Sequence, residues 1–349
     1  MPAAKASYVE MNRNYPLNCW WIAAFSKDIE EKLFSTMLLN MPVLLYRRKD
    51  GQVVAMEDRC PHRSLPLSLG ELKDDRITCG YHGFVFGPEG NCEFVPSTGK
   101  PVPACVKTFP VVESAPFIWI YAGDMNELNN VPPPPKIDWL SDGSFVSLGG
   151  TTVVDSNYLL LKENVLDLTH VAYIHAKSFQ VKDIINAPSF EVTDETVGFR
   201  QEYTASPLAA LYANPLGIEP GTPCDRKNWG DFVSPSLQTG GVDIIPSGEK
   251  EPVGRLRIIH GTTPINTKKT MYFWMHSRDH GTSDAELDAY KKIVVFGYEE
   301  DKSALAAIQK RIDQLGYDPG VAVSVKADTG GVLARRIIER WMKRETIAY

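Results

Sequence analysis

Two short clusters constrain this chain more than any other part of it: Cys60-Pro-His62 and Cys79-Gly-Tyr-His82, with 16 residues between His62 and Cys79. Each cluster joins one thiol to one imidazole. Four soft or borderline ligands in two tight pairs point to a metal site. Zinc accepts two thiolates and two imidazoles in a tetrahedral cage, but zinc fingers usually pair Cys with Cys and His with His. A [2Fe–2S] cluster with thiolates on one iron and imidazoles on the other needs both loops to reach both irons, and mixed pairs suit that demand. Gly83, directly after His82, and the loop Pro96-Ser97-Thr98-Gly99 are expected to let backbone close over the sulfurs.

The first third reads as short strands. VLLYRR (43–48), Lys49-Asp50-Gly51 and QVVAMED form a hairpin pattern with Asp-Gly in the turn. GFVFGPEGNCEFVP (83–96) repeats it, with Pro88 and Gly90 in the turn, and FPVVES and PFIWIYAG add two strands. The ligand pairs are placed at hairpin tips, where a rigid sheet can present them. Asn129-Asn130-Val131 and the prolines Pro132 to Pro135 then break the pattern, so a boundary is expected near 124–137. Length allows two domains with cores of their own.

The formal net charge of −6 argues against a nucleic-acid partner. The opening MPAAKASYVEMNRNYP carries no apolar core of a signal peptide, and FIWIYAG is far too short to span a membrane. A cytoplasmic protein is expected. There thiols stay reduced, so Cys60 and Cys79 read as ligands and not as a disulfide. Cys19, Cys92, Cys105 and Cys224 lack partners at ligand spacing and read as small buried hydrophobes.

The second part mixes strands with helices. Its segment 163–175, ENVLDLTHVAYIH, places Asn164, Asp167 and His170 three apart, on one helical face. His175 lies roughly 140° further round an ideal helix, so it converges with His170 only if the helix ends or bends between them. Strands and loops follow over 188–278. A long helix is then opened by a Ser283/Glu286 capping box and stopped by Gly316 and Pro319. On it Val294, Tyr298, Asp301, Leu305 and Ile308 form an inward stripe holding one acid, with Glu299 and Glu300 on other faces. A buried carboxylate must be neutralised, paired or bound to metal. Two histidines and Asp301 make a 2-His-1-carboxylate set, which leaves open positions on non-haem Fe(II). A last helix over 331–344 carries the stripe Leu333, Ile337, Trp341 with Ala334, Ile338, Met342, expected as core. His260, His276 and His280 read as surface or pocket residues. Arg200, Arg226, Arg255 and Arg257 are cationic candidates for an anionic substrate, each more simply a surface charge.

The Cys60/His62 and Cys79/His82-Gly83 pattern resembles a Rieske iron–sulfur domain, with Phe84 where that family often has Trp. Both sites together resemble the terminal oxygenase component of Rieske non-haem iron oxygenases over nearly the whole chain. The likeness is strongest to the vanillate O-demethylase, dicamba monooxygenase and toluenesulfonate methyl-monooxygenase group. NYPLNCWWIAAF, NVLDLTHVAYIHA, FGYEEDKSALAAIQKR and KADTGGVLARRIIER carry that likeness.

The resemblance implies an α+β protein. An all-β Rieske [2Fe–2S] domain (1–125) is followed by a helix-grip catalytic domain, an antiparallel sheet with helices (126–349). Cys60, His62, Cys79 and His82 then hold the cluster, and His170, His175 and Asp301 the mononuclear iron. Asn164 lies near the iron without being a firm ligand. Asp167 bridges His170 to His82 of the next subunit in a homotrimer. O2 is co-substrate, and electrons come from a flavin/ferredoxin-type reductase. The chain has no Gly-rich dinucleotide turn, so NAD(P)H acts only through that partner. The implied reaction hydroxylates or O-demethylates a small aromatic acid, vanillate-like or sulfonate-like. Ring hydroxylation, pure electron transfer by a Rieske protein and a zinc-held binding module are the rival readings.

Overall fold

The computed structural model describes residues 13–184, 187–317 and 323–346. Pro319 and the first twelve residues, read above as a helix stop and as lacking a signal sequence, lie outside the described residues. The chain divides into two compact units, Met1–Lys136 and Ile137–Tyr349, with the proline run at the end of the first.

The first unit is built from three small antiparallel sheets. β1 (Trp20–Phe25), β2 (Phe34–Leu38), β3 (Met41–Arg47), β4 (Val53–Glu57), β5 (Glu71–Lys73), β6 (Arg76–Thr78), β7 (Val85–Phe86), β8 (Cys92–Phe94), β9 (Thr108–Phe109), β10 (Val111–Ser114) and β11 (Phe117–Tyr121) follow in order. They pair as β1-β11-β10, β2-β3-β4-β9 and β5-β6-β7-β8. Both expected hairpins form: β3 and β4 turn at Asp50-Gly51, where the Gly51 N–H donates to Arg48 O at 2.9 Å. β7 and β8 turn through Gly87–Asn91. Strands this short cannot stand alone. The β2-β3-β4-β9 and β5-β6-β7-β8 sheets share a core of Leu44, Tyr46, Met56, Leu67, Ile77, Phe86 and Val95, to which Cys60 and Cys79 also belong.

The second unit is one seven-stranded antiparallel sheet in the order β12-β18-β17-β16-β15-β14-β13. Its strands are β12 (Val146–Val154), β13 (Ser189–Val192), β14 (Val197–Pro207), β15 (Pro223–Ser234), β16 (Leu237–Pro246), β17 (Gly254–Asn266) and β18 (Lys269–Arg278). Among the described residues four α-helices accompany them: α1 (Tyr158–Leu166), the single turn α2 (Ala210–Ala213), α3 (Asp284–Leu315) and α4 (Thr329–Thr346). The mixed architecture is the expected α+β one. Side chains alternate along β15, with Cys224, Arg226, Asn228, Gly230 and Phe232 all turned inward. Such alternation marks a sheet with one covered face. The cover includes Leu161 of α1 and Tyr290, Val294, Tyr298 and Leu305 of α3, which share a core with the sheet. Of the expected α3 stripe, Ile308 is exposed; the buried line runs on through Gln309, whose Oε1 accepts the Asn157 N–H at 2.8 Å. The Ser283 N–H donates to Glu286 at 3.2 Å, and Gly316 ends α3 in the left-handed region. On α4, Ala334, Ile337 and Ile338 of the expected stripe are buried, while Leu333, Trp341 and Met342 are half-buried.

Register places Phe199, Gly230, Gly240, Ile258 and His276 in one row across the inner face. Two adjacent glycines in that row matter. A Cβ on Gly230 would stand 2.3 Å from the ring of Phe199, so Gly230 lets that ring lie on the sheet. At Gly240 a Cβ would meet only main-chain atoms, at 3.1 and 3.7 Å, so no side chain occupies that part of the floor. We expect Gly230→Ala to cost about 1–3 kcal/mol by forcing the buried Phe199 ring aside. Urea unfolding measures this, and Phe199→Leu in the same chain should recover part of the loss.

Candidate metal centres

In the first unit the two thiols are buried and the two imidazoles are exposed. The pairs do not sit where hairpin tips were expected in both cases. Cys79 to His82 fill the turn between β6 and β7, but Cys60 to His62 lie in the connection leaving β4. Each loop is closed by backbone bonds: Cys60 N–H to Leu65 O at 2.9 Å, Cys79 N–H to Phe84 O at 2.8 Å, and Gly83 N–H to Cys79 O at 3.0 Å. Gly83 takes φ +71°, and a Cβ there would strike Pro96 at 2.8 Å, so the 96–99 loop packs on it as anticipated. The His62 and His82 rings stand 4.6 Å apart, and Phe84 stacks on His62 at 4.8 Å. Burial pushes the Cys60 thiol up, with Cys79 beside it. Among the described residues no cysteine forms a disulfide; Cys105, read as a buried hydrophobe, is exposed. Two adjacent buried thiols under two outward imidazoles fit a cluster with sulfur-held iron inside and nitrogen-held iron outside.

In the second unit α1 ends at Leu166. Asp167 is extended (φ −123°, ψ 100°) and caps a 3-10 turn over Leu168–Ala172. Asn164, Asp167 and His170 therefore do not share one continuous helix face, contrary to the reading from their spacing. The competing force is local: the Asp167 carboxylate accepts from the Thr169 N–H at 2.8 Å and its hydroxyl at 2.6 Å, a capping arrangement that starts a new turn. The break does what the geometry of His175 demanded. His170, His175 and Asp301 come together, with one ligand atom from each within 4.8 Å of the others.

The orientation of both rings is fixed from behind. His170 Nδ1 bonds the Asp167 carbonyl, and His175 Nδ1 bonds Glu300 Oε2 at 3.1 Å. Both Nε2 atoms are left facing Asp301, at 3.7 Å for His170 and 3.3 Å for His175. Acceptors at Nδ1 place the proton there and leave Nε2 as the ligand lone pair. Burial pushes His170 down. Burial also works to lower His175, but the carboxylates of Asp301 and Glu300 outweigh it and leave it raised. A divalent cation held by these three residues would take the place of that proton. Asn164 Nδ2 donates to Asp301 Oδ1 at 3.1 Å, so Asn164 orients the acid. Asp167 reaches His170 through its carbonyl, while its carboxylate is turned to Thr169.

Glu300 is a correction. Helical periodicity put it on another face of α3, yet it joins His175 and accepts from Ser178 Oγ at 2.6 Å. The loop after the 3-10 turn folds back to the flank of α3, which no single-helix projection can foresee.

Beside the triad lies a cavity of about 130 Å³ lined by His170, His175, Asp301 and the inner face of the sheet. His260 and His276 belong to its wall. His260 Nδ1 bonds Tyr272 at 2.6 Å, and His276 is held between Tyr290 (2.8 Å) and Tyr298 (2.7 Å). His280 lies outside it, beside Asp279. The four arginines considered above do not line it. Arg226 is fully buried on Asp183, Arg200 pairs with Glu191 and Asp231, Arg255 with Asp279, and Arg257 with Asp243.

Comparison with known proteins gives two family matches. Residues 19–110 match the Rieske [2Fe-2S] domain, and residues 154–344 the vanillate O-demethylase oxygenase C-terminal domain. The chain is 31% identical to a vanillate O-demethylase oxygenase subunit of Pseudomonas sp. (strain HR199 / DSM 7063), over 95% of this chain and 96% of that protein. It superposes on dicamba monooxygenase bound to 3,6-dichlorosalicylic acid with a TM-score of 0.85 at 30% identity, covering 95% of this chain and 98% of the other. Against dicamba monooxygenase with non-haem iron and dicamba the TM-score is 0.80 at 29% identity, covering 97% and 100%.

The cavity histidines make the fold acid-sensitive. Burial drives His260 and His276 down to about 3. Below pH about 6.5 the unfolded chain takes up protons that the folded chain refuses, so this stability is whole above that pH and lost as pH falls toward 3. We expect a loss of roughly 2–3 kcal/mol per histidine by pH about 4.5. Urea unfolding across that range checks it, and a stability flat from pH 7 to 4.5 contradicts it.

Proposed function

The chain belongs to the Rieske oxygenases whose C-terminal domain is of the vanillate O-demethylase oxygenase type, and from that premise we propose how its own residues serve the reaction. It is the terminal oxygenase component of a Rieske monooxygenase, with a [2Fe–2S] cluster and a mononuclear non-haem iron, and it is served by a separate reductase. Cys60, His62, Cys79 and His82 hold the cluster. His170, His175 and Asp301 hold the iron. The observation that carries the second assignment is the pair of Nε2 atoms turned on one carboxylate, with both Nδ1 atoms held by oxygen. Bound in these sites, the metals relay electrons and activate dioxygen.

The remaining chemistry falls to the protein. Asn164 and Glu300 keep the ligands aimed. The apolar wall excludes water from the reacting carbon. The cavity matches one aromatic ring, since an engineered apolar cavity of about 150 Å³ accepts benzene. We read the substrate as one small ring bearing a methyl ether or methyl group and a polar substituent, with aromatic acids as first members of the test panel. A methyl C–H becomes C–OH, the second oxygen atom leaves as water, and two electrons and two protons are taken up. A hemiacetal so formed from an ether collapses to a phenol and formaldehyde.

We infer a homotrimer in which Asp167 faces His82 of a neighbour. Asp167, Asn164 and His170 line an open pocket with Ile174, and Tyr173 beside them is 76% exposed. Those features suit an acceptor surface. The cluster-binding part is taken to end near residue 125, with the catalytic part over 126–349. Among the described residues no helix is long and apolar enough to cross a membrane, and we place the enzyme in the cytoplasm.

Glu300→Gln should weaken iron binding roughly 10- to 100-fold by loosening His175, measured by titrating iron into metal-stripped protein. With a reductase and NAD(P)H, aromatic methyl ethers should yield one formaldehyde per O2 consumed. Ring-hydroxylated products without formaldehyde contradict the demethylase reading.

A further inference from the structure

Asn228 is a polar cavity side chain that the account above leaves unused. It sits on the inner face of β15 between Arg226 and Gly230, is 2% exposed, and lines the cavity. Among the described residues neither its Nδ2 nor its Oδ1 has a partner. The other polar lining groups differ. His260 and His276 are bonded to tyrosines, Asn164 donates to Asp301, and Gln238, though its Oε1 is also open, is anchored by its Nε2 on Lys162 O at 3.1 Å. Buried amides are normally served at both ends. One left open at both ends, in the wall of a ring-sized cavity, is a recognition group.

Resting on the reading of this cavity as the substrate site, we infer that Asn228 selects substrates whose ring carries an uncharged group with donor and acceptor side by side, a carboxamide in its simplest form. The Asn228 amide can donate from Nδ2 and accept at Oδ1 in one plane, and a carboxamide returns both bonds. A carboxylate accepts only. It satisfies Nδ2 and sets its own charge against Oδ1. No lysine or arginine among the described residues lines the cavity to offset that. The buried cations nearby are turned to aromatic faces: Lys162 lies 5.4 Å from the Phe232 ring, Arg226 4.8 Å from Tyr203, and Arg278 4.2 Å from Tyr290. Arg226 is also spent on Asp183. His260 and His276 are neutral at pH 7.

The test is direct binding to the iron-replete protein without reductant, so that no turnover occurs. Three probes share one ring and one ether: 3-methoxybenzamide, 3-methoxybenzoate and 3-methoxytoluene. Titration calorimetry gives their affinities. The amide should bind at least about tenfold tighter than the other two. Asn228→Leu, of similar volume, should erase that preference while leaving 3-methoxytoluene binding within a factor of a few. A benzoate that binds as tightly as the amide overturns the inference. So does an amide that fails to bind, or whose affinity survives Asn228→Leu. If the variant does not fold, the comparison in the unmodified chain still decides. Formaldehyde release is measured separately, so recognition by Asn228 and the demethylase reading fail independently.

Discussion

The catalytic unit depends on a short interruption of its own backbone. α1 stops at Leu166, Asp167 turns out of the helix, and a 3-10 turn carries His170 onward to His175. In an unbroken helix the two imidazoles point roughly 140° apart and no cation can meet both. Ending the helix one turn early brings them together over Asp301, which α3 supplies from its buried face. The same residue that breaks the helix also anchors the product of the break: the carbonyl of Asp167 holds His170 Nδ1. Capping, ring orientation and ligand convergence are one local event.

A second constraint is how two polar sites are kept inside apolar surroundings. In the first unit the thiols are sunk into a small β core while the imidazoles stay at the surface, so the pair that needs the charge-stabilising metal is buried and the pair through which partners can reach it is not. In the second, the triad opens on a sheet whose inner face alternates bulk with absence. Gly230 and Gly240 leave the floor low, and Phe199 lies across part of it. His260 and His276 are held neutral by burial and are tied to tyrosine hydroxyls. A wall of this kind positions one ring without lending it charge.

Much of this was legible in the residues. Mixed Cys-His pairs, Asp-Gly turns and proline punctuation are local signals, and each names its own structure. The acid on the α3 stripe was visible because a carboxylate at an apolar position is costly. Glu300 was not, because its partner Ser178 lies 122 positions away and reaches the side of α3 through a loop. Arg226 read as a surface charge because its counter-ion Asp183 is also distant in sequence. Asn164 and Asp167 were placed near the iron, but the helix end that gives each its work depends on the Asp167–Thr169 capping bonds, which compete with helix at nearly equal cost. Cys105 shows the converse: a cysteine without a partner says nothing about its depth.

The central claim is that one chain holds two separate iron centres, the second built on Asp301. Electron paramagnetic resonance of the reduced protein under nitric oxide tests it most directly. The account predicts a high-spin iron–nitrosyl signal alongside that of the reduced cluster, with Asp301→Ala abolishing the first and sparing the second. A nitrosyl signal that survives Asp301→Ala, or its absence from a protein with an intact cluster, would contradict it.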